Sequence, residues 1–327
     1  MAEAAARQAG PDGVRRAVER AHTGDTRALA RLVSLVENGA PELRPIMKEL
    51  AAATGRARVI GITGAPGVGK STITGALVAA YRERGERVGV LAVDPTSPFT
   101  GGALLGDRVR MQEHATDPGV FIRSMASRGH LGGLSRATPQ ALRVLDAAGY
   151  GVLLVETVGV GQAEVEIASL ADTTLVAVAP GMGDAIQAAK AGILEIGDVF
   201  VVNKADKPGA QEAVRDLRGM IALARRDEGA WKPPIVTTTA VRGDGVAELT
   251  AKMDAHWSWL GASGEKQARR LARAREEITA IAVAELRQRA GGLDGDTRLS
   301  DLAERVTSGD LDPFSAADEL VAAVASD

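Results

Sequence analysis

The stretch Gly64-Ala65-Pro66-Gly67-Val68-Gly69-Lys70-Ser71 decides the fold. It fits the Walker A pattern, in which glycines let backbone N–H groups converge on phosphate oxygens. The largely apolar residues 58–63 before it predict a strand, and residues 71–84 after it predict a helix whose positive N-terminus faces the same anion. We expect nucleotide phosphates to bind at these eight residues and at Thr72, with Lys70 on the β- and γ-phosphates and the Ser71 hydroxyl on Mg²⁺.

Outward from this stretch, short apolar runs alternate with helical segments along the chain. The further predicted strands are residues 87–93, 120–122, 152–155, 174–178, 199–202 and 235–238. This alternation predicts an α/β fold with a mostly parallel sheet and helices on both faces. Right-handed crossovers then place the carboxyl ends of the strands along one edge, where ligands bind.

A second polar motif follows the strand predicted at residues 199–202. Asn203-Lys204-Ala205-Asp206 has the N-K-x-D pattern of GTP-binding proteins. The Asp206 carboxylate can accept two hydrogen bonds from guanine, whereas adenine lacks that donor pair and would leave the charge unpaired. Asn203 would brace the loop, and the Lys204 stem would lie against the purine. At the next strand end, Thr239-Ala240-Val241 resembles the Ser-Ala-x element that contacts the guanine oxygen, although a plain turn is the alternative.

Three acids are candidates for holding Mg²⁺, and two of them come at the ends of predicted strands. Glu156 directly follows the predicted strand at residues 152–155 and begins Glu156-Thr157-Val158-Gly159, where Gly159 can offer its N–H to the γ-phosphate. Asp94 ends the second strand, and Asp107 follows in a later segment. Because Mg²⁺ keeps several waters, contacts through water are expected for these carboxylates. A strand-end acid facing solvent is the alternative for Glu156, and a helix N-cap is the alternative for Asp107.

The predicted reaction is hydrolysis of GTP to GDP and phosphate by positioning and charge stabilisation. Lys70, Asp94, Asp107, Glu156 and Gly159 are the candidate catalytic residues. Many GTPases place a glutamine after the glycine of this motif to orient the attacking water, but here that position is Val160 and Gln162 comes later. We therefore expect slow intrinsic hydrolysis that a partner or a rearranged loop accelerates.

Taken in order, these motifs resemble a known family. The blocks are residues 64–71, Asp94-Pro95-Thr96-Ser97, Gly106-Asp107-Arg108, Glu156-Thr157-Val158-Gly159-Val160-Gly161-Gln162 and Asn203-Lys204-Ala205-Asp206. Together they resemble the MeaB/ArgK-type P-loop GTPases, which are chaperones of adenosylcobalamin-dependent methylmalonyl-CoA mutase. The block at residues 156–162 is the most specific, because it differs from Ras-like and translation GTPases. The resemblance covers nearly the whole chain.

The resemblance implies partners and a switch. Family members are homodimers that bind the mutase, gate loading of cobalamin cofactor and help to remove inactivated cofactor. A related cobalamin-dependent acyl-CoA mutase is the alternative partner. The segment at residues 180–190 matches the family's third switch loop, with Asp184, Gln187 and Lys190 as candidate coupling residues. An ordinary capped helix beginning at Asp184 is the alternative reading of that segment.

The domain organisation follows from the same patterns. Residues 1–55 predict an N-terminal helical extension, residues 56–262 the P-loop GTPase domain, and residues 263–327 a C-terminal helical extension. The resemblance implies that this C-terminal extension forms much of the dimer contact. Asp25 is a predicted N-cap within the first extension. The alternating charges of residues 265–289 predict a solvated helix face with one apolar side.

Composition narrows the alternatives. The chain has no cysteine, which excludes disulfides and thiolate metal sites and fits a reducing cytoplasm. A net charge of -3 without a basic block argues against nucleic acid as a partner. No secretory signal or membrane-length apolar run is evident. Two rival functions remain, a metallochaperone GTPase, against which the scattered histidines count, and a nucleotide-dependent protein kinase, against which Asp206 argues.

Overall fold

The computed structural model describes residues 11–94, 114, 116–126, 137–157, 163–181, 193–223, 229–289 and 297–325. Their strands form a seven-stranded sheet in the order β3-β2-β4-β1-β5-β6-β7, and every neighbouring pair is parallel. The strands are β1 (Arg58–Thr63), β2 (Val88–Asp94), β3 (Val120–Ala126), β4 (Val152–Thr157), β5 (Thr173–Val178), β6 (Val199–Val202) and β7 (Ile235–Thr237). The predicted fold class is confirmed.

Helices connect the strands and extend the chain at both ends. They are α1 (Pro11–His22), α2 (Thr26–Glu37), α3 (Leu43–Leu50), α4 (Lys70–Glu83), α5 (Thr138–Ala147), α6 (Ala163–Leu170), α7 (Ile193–Ile196), α8 (Ala210–Leu223), α9 (Val246–Ser263), α10 (Glu265–Arg289), α11 (Thr297–Ser308) and α12 (Pro313–Ala325). Short 3₁₀ turns cover Ala51–Ala53 and Ala240–Arg242.

The core lies on both faces of the sheet because successive strand residues point to opposite sides. Leu153 and Val155 of β4 pack with α1–α3, α5 and α6, whereas Val152 and Leu154 pack with α4 and α9. A third cluster joins Phe200 of β6 to α8. Strands covered on both faces read as continuous apolar runs, which is why the sequence reveals them.

β3 is longer than the sequence predicts. The apolar run stops at Ile122, yet the strand continues to Ala126 in register with β2. Arg123 interrupts the apolar pattern but donates to the Glu37 carboxylate at 2.7 Å and to the Ser34 hydroxyl at 3.0 Å, both on α2. An ion pair with the N-terminal helices therefore replaces hydrophobic burial at this position.

The predicted cap at Asp25 is confirmed. Its carboxylate accepts hydrogen bonds from the backbone N–H groups of Arg27 and Ala28, each at 3.0 Å, at the start of α2. These backbone bonds, with help from Arg20, lower the pKa of Asp25. The cap explains why the chain turns between α1 and α2 at this residue.

A polar cluster lies at the amino ends of β5 and β6. Asp198 accepts two hydrogen bonds from the Arg269 guanidinium, each 2.9 Å long, and a third from the Thr174 N–H at 2.8 Å. The imidazole of His256 is fully buried, with Nδ1 2.9 Å from the Thr173 hydroxyl and Nε2 3.3 Å from the Asp198 carboxylate. The cluster fastens the first turn of α10 to the sheet.

The chain forms two compact units, Met1–Arg269 and Arg270–Asp327. The first unit contains the sheet. In the second unit Arg305 of α11 donates to the Glu319 carboxylate of α12 at 2.8 Å. The remainder of α10 exposes large apolar side chains: Leu271, Ile278, Ile281, Val283 and Leu286. Within the part of the chain that the structure describes, no helix is both long and apolar enough to cross a bilayer.

Candidate functional site

The loop of residues 64–69, the phosphate loop, joins the carboxyl end of the central strand β1 to α4. Gly64 has a φ of 141°, and a β-carbon there would lie 2.1 Å from the Ala177 carbonyl oxygen of β5. Gly69 has a φ of 96°, and a β-carbon there would lie 2.5 Å from the Asn203 amide nitrogen. The glycines are therefore required both by backbone conformation and by close packing. The loop presents the N-terminus of α4 to an anion at the sheet edge.

Lys70 begins α4 and is buried at the loop. Its ammonium group donates to the Gly64 carbonyl at 2.8 Å and to the Ala65 carbonyl at 3.2 Å. Both acceptors belong to the phosphate loop, so the positive charge is held where the sequence predicts the β- and γ-phosphates. An ammonium group has three donors on a flexible stem, which lets it move from carbonyl to phosphate oxygen by rotation.

Glu156, at the end of β4, meets the first turn of α4. The Ser71 hydroxyl donates to its Oε1 at 2.6 Å, and the Thr74 hydroxyl lies 2.9 Å from its Oε2. Glu156 is 4% exposed, so the solvent-facing alternative is wrong. A hydroxyl and a carboxylate oxygen that meet beside a phosphate loop form the oxygen-only donor set that Mg²⁺ prefers.

The loop of residues 203–206, the base loop, is fastened to the phosphate loop. The Asn203 side chain donates to the Val68 carbonyl at 2.9 Å and accepts from the Thr238 hydroxyl and the Ala240 N–H, each at 3.1 Å. Lys204 has a φ of 58°, unusual for a residue other than glycine, and its ammonium group donates to the Gly67 carbonyl at 2.6 Å. Side chains of one motif therefore set the geometry of the other.

Asp206 is the exposed member of the base loop. Its carboxylate lies 4.0 Å from the Arg242 guanidinium, which is itself paired with Asp244 at 2.8 Å. Thr239 and Ala240 are buried beside this loop, whereas Val241 is 81% exposed. The structure thus brings together the phosphate loop, Glu156, Asn203, Lys204, Asp206, Thr239 and Ala240 at the carboxyl edge of the sheet.

Other predicted site residues cannot be placed in the same way. Asp94 ends β2, in register with Ala126 of β3, but its side chain lies outside the described structure. Asp107, Gly159, Asp184, Gln187 and Lys190 also lie outside the described residues. Among the residues that are described, no three His, Cys, Asp or Glu side chains are grouped as a metal site. Mg²⁺ bound to a nucleotide needs only one or two protein oxygens, so this finding is compatible with the Ser71 and Glu156 pair.

Two residues at the site were not predicted from the sequence. Thr74 contacts Glu156, and Arg242 lies beside Asp206. Thr74 follows Ser71 by three positions on a predicted helix, so helical spacing alone places both on one face. Nothing in the local pattern around Arg242 indicates its neighbour, because the contact joins two different strand ends.

Comparison with known proteins agrees with this geometry. A family model described as methylmalonyl-CoA mutase-associated GTPase MeaB matches residues 29–293. A Pyrococcus abyssi protein named as a GTPase is 48% identical over 309 residues, which cover 93% of this chain and 94% of that protein. The GTPase ArgK of Escherichia coli is 36% identical over 257 residues, which cover 76% of this chain and 78% of ArgK.

The fold has a solved counterpart as well. The crystal structure of an LAO/AO transport system kinase aligns with a TM-score of 0.73 and 26% identity, over 96% of this chain and 98% of that one. The family model covers most of the chain, and the relatives are GTPases by name. The chain therefore belongs to the MeaB family of methylmalonyl-CoA mutase-associated GTPases and is a P-loop enzyme that binds guanine nucleotides and hydrolyses GTP.

Proposed function

We propose that this GTPase is a Mg²⁺-dependent chaperone of adenosylcobalamin-dependent methylmalonyl-CoA mutase, acting in cofactor loading and in protection or reactivation of the mutase. The family match over residues 29–293, whose description names the mutase, is the observation that carries the proposal. A related cobalamin-dependent acyl-CoA mutase has the same chemistry and is the alternative partner. We assign the activity to the cytoplasm, with which a cysteine-free chain is compatible.

Guanine selection is assigned to the base loop. Asp206 supplies a carboxylate for the ring N–H and the exocyclic amine of guanine, and the Lys204 stem lies along the purine plane. Asn203, held between Val68 and Ala240, fixes the distance between the base and the phosphates. Thr239, Ala240 and Val241 complete the pocket with backbone groups. The site then rejects adenine because the carboxylate, covered by the base, would be left without its donors.

Ser71 and Glu156 are the proposed protein groups for Mg²⁺, with Asp94 and Asp107 acting through the metal's water shell. Bound Mg²⁺ supplies a positive charge that neutralises the phosphates and orients their oxygens. The protein's own part is to keep the Ser71 hydroxyl and the Glu156 carboxylate 2.6 Å apart at the mouth of the phosphate loop. Lys70 adds a second positive charge on the β- and γ-phosphates. The backbone N–H of Gly159 is proposed to contact the γ-phosphate and so to register its loss.

Hydrolysis is proposed to be slow until the mutase is bound. One water attacks the γ-phosphorus, the bond to the β-phosphate oxygen breaks, and GDP and phosphate leave. Val160 stands where many GTPases place the water-orienting glutamine, so the chain lacks that group at that position. Asp184, Gln187 and Lys190 are proposed to couple the nucleotide state to the partner.

We further propose a homodimer in which residues 263–327 form the contact, beside a GTPase domain of residues 56–262 and an N-terminal extension of residues 1–55. The apolar stripe of α10 supports the proposal: Ile278 is 67% exposed and Leu286 is 64% exposed. Exposed apolar side chains repeated along a helix are typical of an interface between chains.

The experiment is to measure hydrolysis of GTP and ATP by the purified protein, alone and with methylmalonyl-CoA mutase. We expect slow turnover of GTP alone and a clear acceleration by the mutase. If the rate ignores the mutase, the GTPase assignment stands and the chaperone proposal fails. Transfer of labelled phosphate to a protein acceptor would favour the kinase function for which the solved relative is named.

A further inference from the structure

The Glu156 carboxylate is held at both of its oxygens by α4. Ser71 donates to Oε1 at 2.6 Å, and the Thr74 hydroxyl lies 2.9 Å from Oε2. Ser71 and Thr74 are three residues apart, which places their side chains on one face of the helix, turned towards the end of β4. Thr74 has no exposed surface, and Glu156 has 4%. No bulk water is therefore at hand to replace the Thr74 contact.

The Thr74 proton has two acceptors within reach. Besides Glu156, the hydroxyl lies 3.0 Å from the Lys70 carbonyl. A hydroxyl has a single proton to donate, and a carbonyl four residues earlier already accepts from the helix backbone. The ionised carboxylate is the stronger acceptor, because a charge-assisted hydrogen bond is roughly twice as strong as a neutral one. The charge of the carboxylate therefore favours donation to Glu156.

The longer side chain of a glutamate makes such a contact useful. Compared with an aspartate, Glu156 has one more rotatable bond between its backbone and its carboxylate. Each additional free rotation spreads the carboxylate over more positions and weakens any geometry that depends on it. A second hydrogen bond, from a helix that also carries Ser71, fixes the carboxylate relative to that serine.

We propose that Thr74 is a positioning residue that fixes the Glu156 carboxylate for Mg²⁺. The inference rests on the proposed assignment of Ser71 and Glu156 to the metal. Thr74 is not itself proposed to bind metal or nucleotide; it acts on the Glu156 carboxylate. Hydrogen-bond partners of metal-binding carboxylates commonly change metal affinity by about 10- to 100-fold when they are removed.

The test uses Thr74→Val, which removes the hydroxyl and keeps the branched shape, and Thr74→Ser, which keeps the hydroxyl. The readout is the Mg²⁺ concentration that half-maximally slows release of fluorescently labelled GDP from the full-length protein. We expect Thr74→Val to raise this concentration about tenfold and Thr74→Ser to restore it to within about twofold. Affinity for GDP in EDTA should change by less than about twofold in both variants, because no metal is then bound.

Two controls separate positioning from structure. Thr138→Val makes the same change at a fully buried threonine whose hydroxyl has no hydrogen-bond partner among the described residues, and should leave the Mg²⁺ dependence unchanged. In a Glu156→Ala background, Thr74→Val should add no further effect, because the two residues act as one unit.

The outcomes are distinct. If Thr74→Val leaves the Mg²⁺ dependence unchanged, or keeps its full effect without Glu156, the positioning role is overturned while the metal assignment survives. If Thr74→Val weakens GDP binding equally in EDTA and in Mg²⁺, Thr74 is structural only. If Mg²⁺ does not change the rate of GDP release from the wild-type protein, and Ser71→Ala does not change it either, the metal assignment is overturned and the role of Thr74 with it.

Discussion

At the scale of single residues, the identity of one carboxylate is expected to set the choice of base. Asp206→Asn replaces one acceptor oxygen with an N–H donor, which faces the exocyclic amine of guanine and leaves two donors opposed. We expect GDP affinity to fall about 100-fold or more, because the site loses a specific hydrogen-bond acceptor. Xanthosine diphosphate has a carbonyl where guanine has its exocyclic amine, so we expect it to bind the variant better than GDP does.

Binding of the two nucleotides by titration calorimetry checks this prediction. Asp216→Asn is the matched control, because Asp216 is exposed on α8 and lies outside the proposed base pocket. An Asp206→Asn protein that still prefers GDP would show that the base is recognised by other groups.

Gly69 joins the two halves of the site, and its replacement should separate binding from folding. In Gly69→Ala a β-carbon would lie 2.5 Å from the Asn203 amide, in addition to the strain of a positive φ. We expect about 1–2 kcal/mol of destabilisation from the strain and a loss of GDP affinity of at least about tenfold from displacement of Asn203. Thermal unfolding and GDP binding measure the two effects.

Gly85→Ala is the control for strain alone. Gly85 has a φ of 79° with nothing within 4 Å of an added β-carbon. The Gly85→Ala variant should lose about as much stability as Gly69→Ala and should bind GDP as tightly as the wild type does. Equal losses of GDP affinity in the two variants would contradict the proposed clash.

The residues of the site differ in how far the sequence reveals them. The phosphate loop and base loop are predictable, because their chemistry requires particular residue types at fixed spacing. The contacts of Thr74 and Arg242 are not, because each joins segments that are far apart in the sequence: α4 with the end of β4, and the turn after β7 with the base loop. The left-handed backbone of Lys204 is equally hidden, since a lysine gives no hint of a positive φ.

At the scale of elements, the polar cluster at the amino ends of β5 and β6 makes the stability of the sheet-containing unit sensitive to acid. Burial lowers the pKa of His256 from 6.5 to about 4, although the nearby Asp198 and Asp172 favour the charged form and Arg269 opposes it. Between these two values the unfolded chain binds a proton that the folded protein does not. Stability should therefore rise with pH across this window and be lost as pH falls from 6.5 to 4, by up to about 3 kcal/mol.

Urea unfolding at several pH values tests this dependence. The variant His256→Gln keeps a polar side chain of similar length but cannot titrate. The slope of its unfolding free energy against pH should therefore be smaller than that of the wild type between about pH 6 and 4, by the amount that corresponds to about one proton. Identical slopes for the two proteins would show that the buried imidazole is not responsible.

Element boundaries show where hydropathy suffices. Strands β4 and β6 lie between layers of helices, and their apolar runs mark them clearly. β3 extends past its apolar run because Arg123 is paired with Glu37 from a distant helix. A half-buried ion pair between distant segments leaves no local periodicity, so the end of such a strand cannot be predicted from nearby residues.

At the scale of the whole molecule, the apolar side chains of α10 carry the dimer prediction. Ile278→Glu places a charge in the middle of the proposed contact, where burying it without a partner is unfavourable. We expect the variant to shift from dimer to monomer in sedimentation experiments and to retain its basal hydrolysis of GTP. Thr279→Glu is the control, because it adds the same charge at the adjacent exposed polar position of the same helix.

A protein that is monomeric as wild type would contradict the proposed contact. So would an Ile278→Glu variant that sediments as the wild-type dimer. The periodicity of the sequence predicts two helical extensions. It does not show whether the apolar side chains of α10 are covered by the same chain or by a second one. Only an interaction between molecules settles that question.

The fastening of the base loop to the phosphate loop also limits how this enzyme could be redesigned. Asn203 holds Val68 and Ala240 at once, and Lys204 holds Gly67. Grafting a different purine pocket would disturb the phosphate cradle unless these partners were exchanged as a set. In protein engineering, the two loops would therefore have to be transplanted together or both left unchanged.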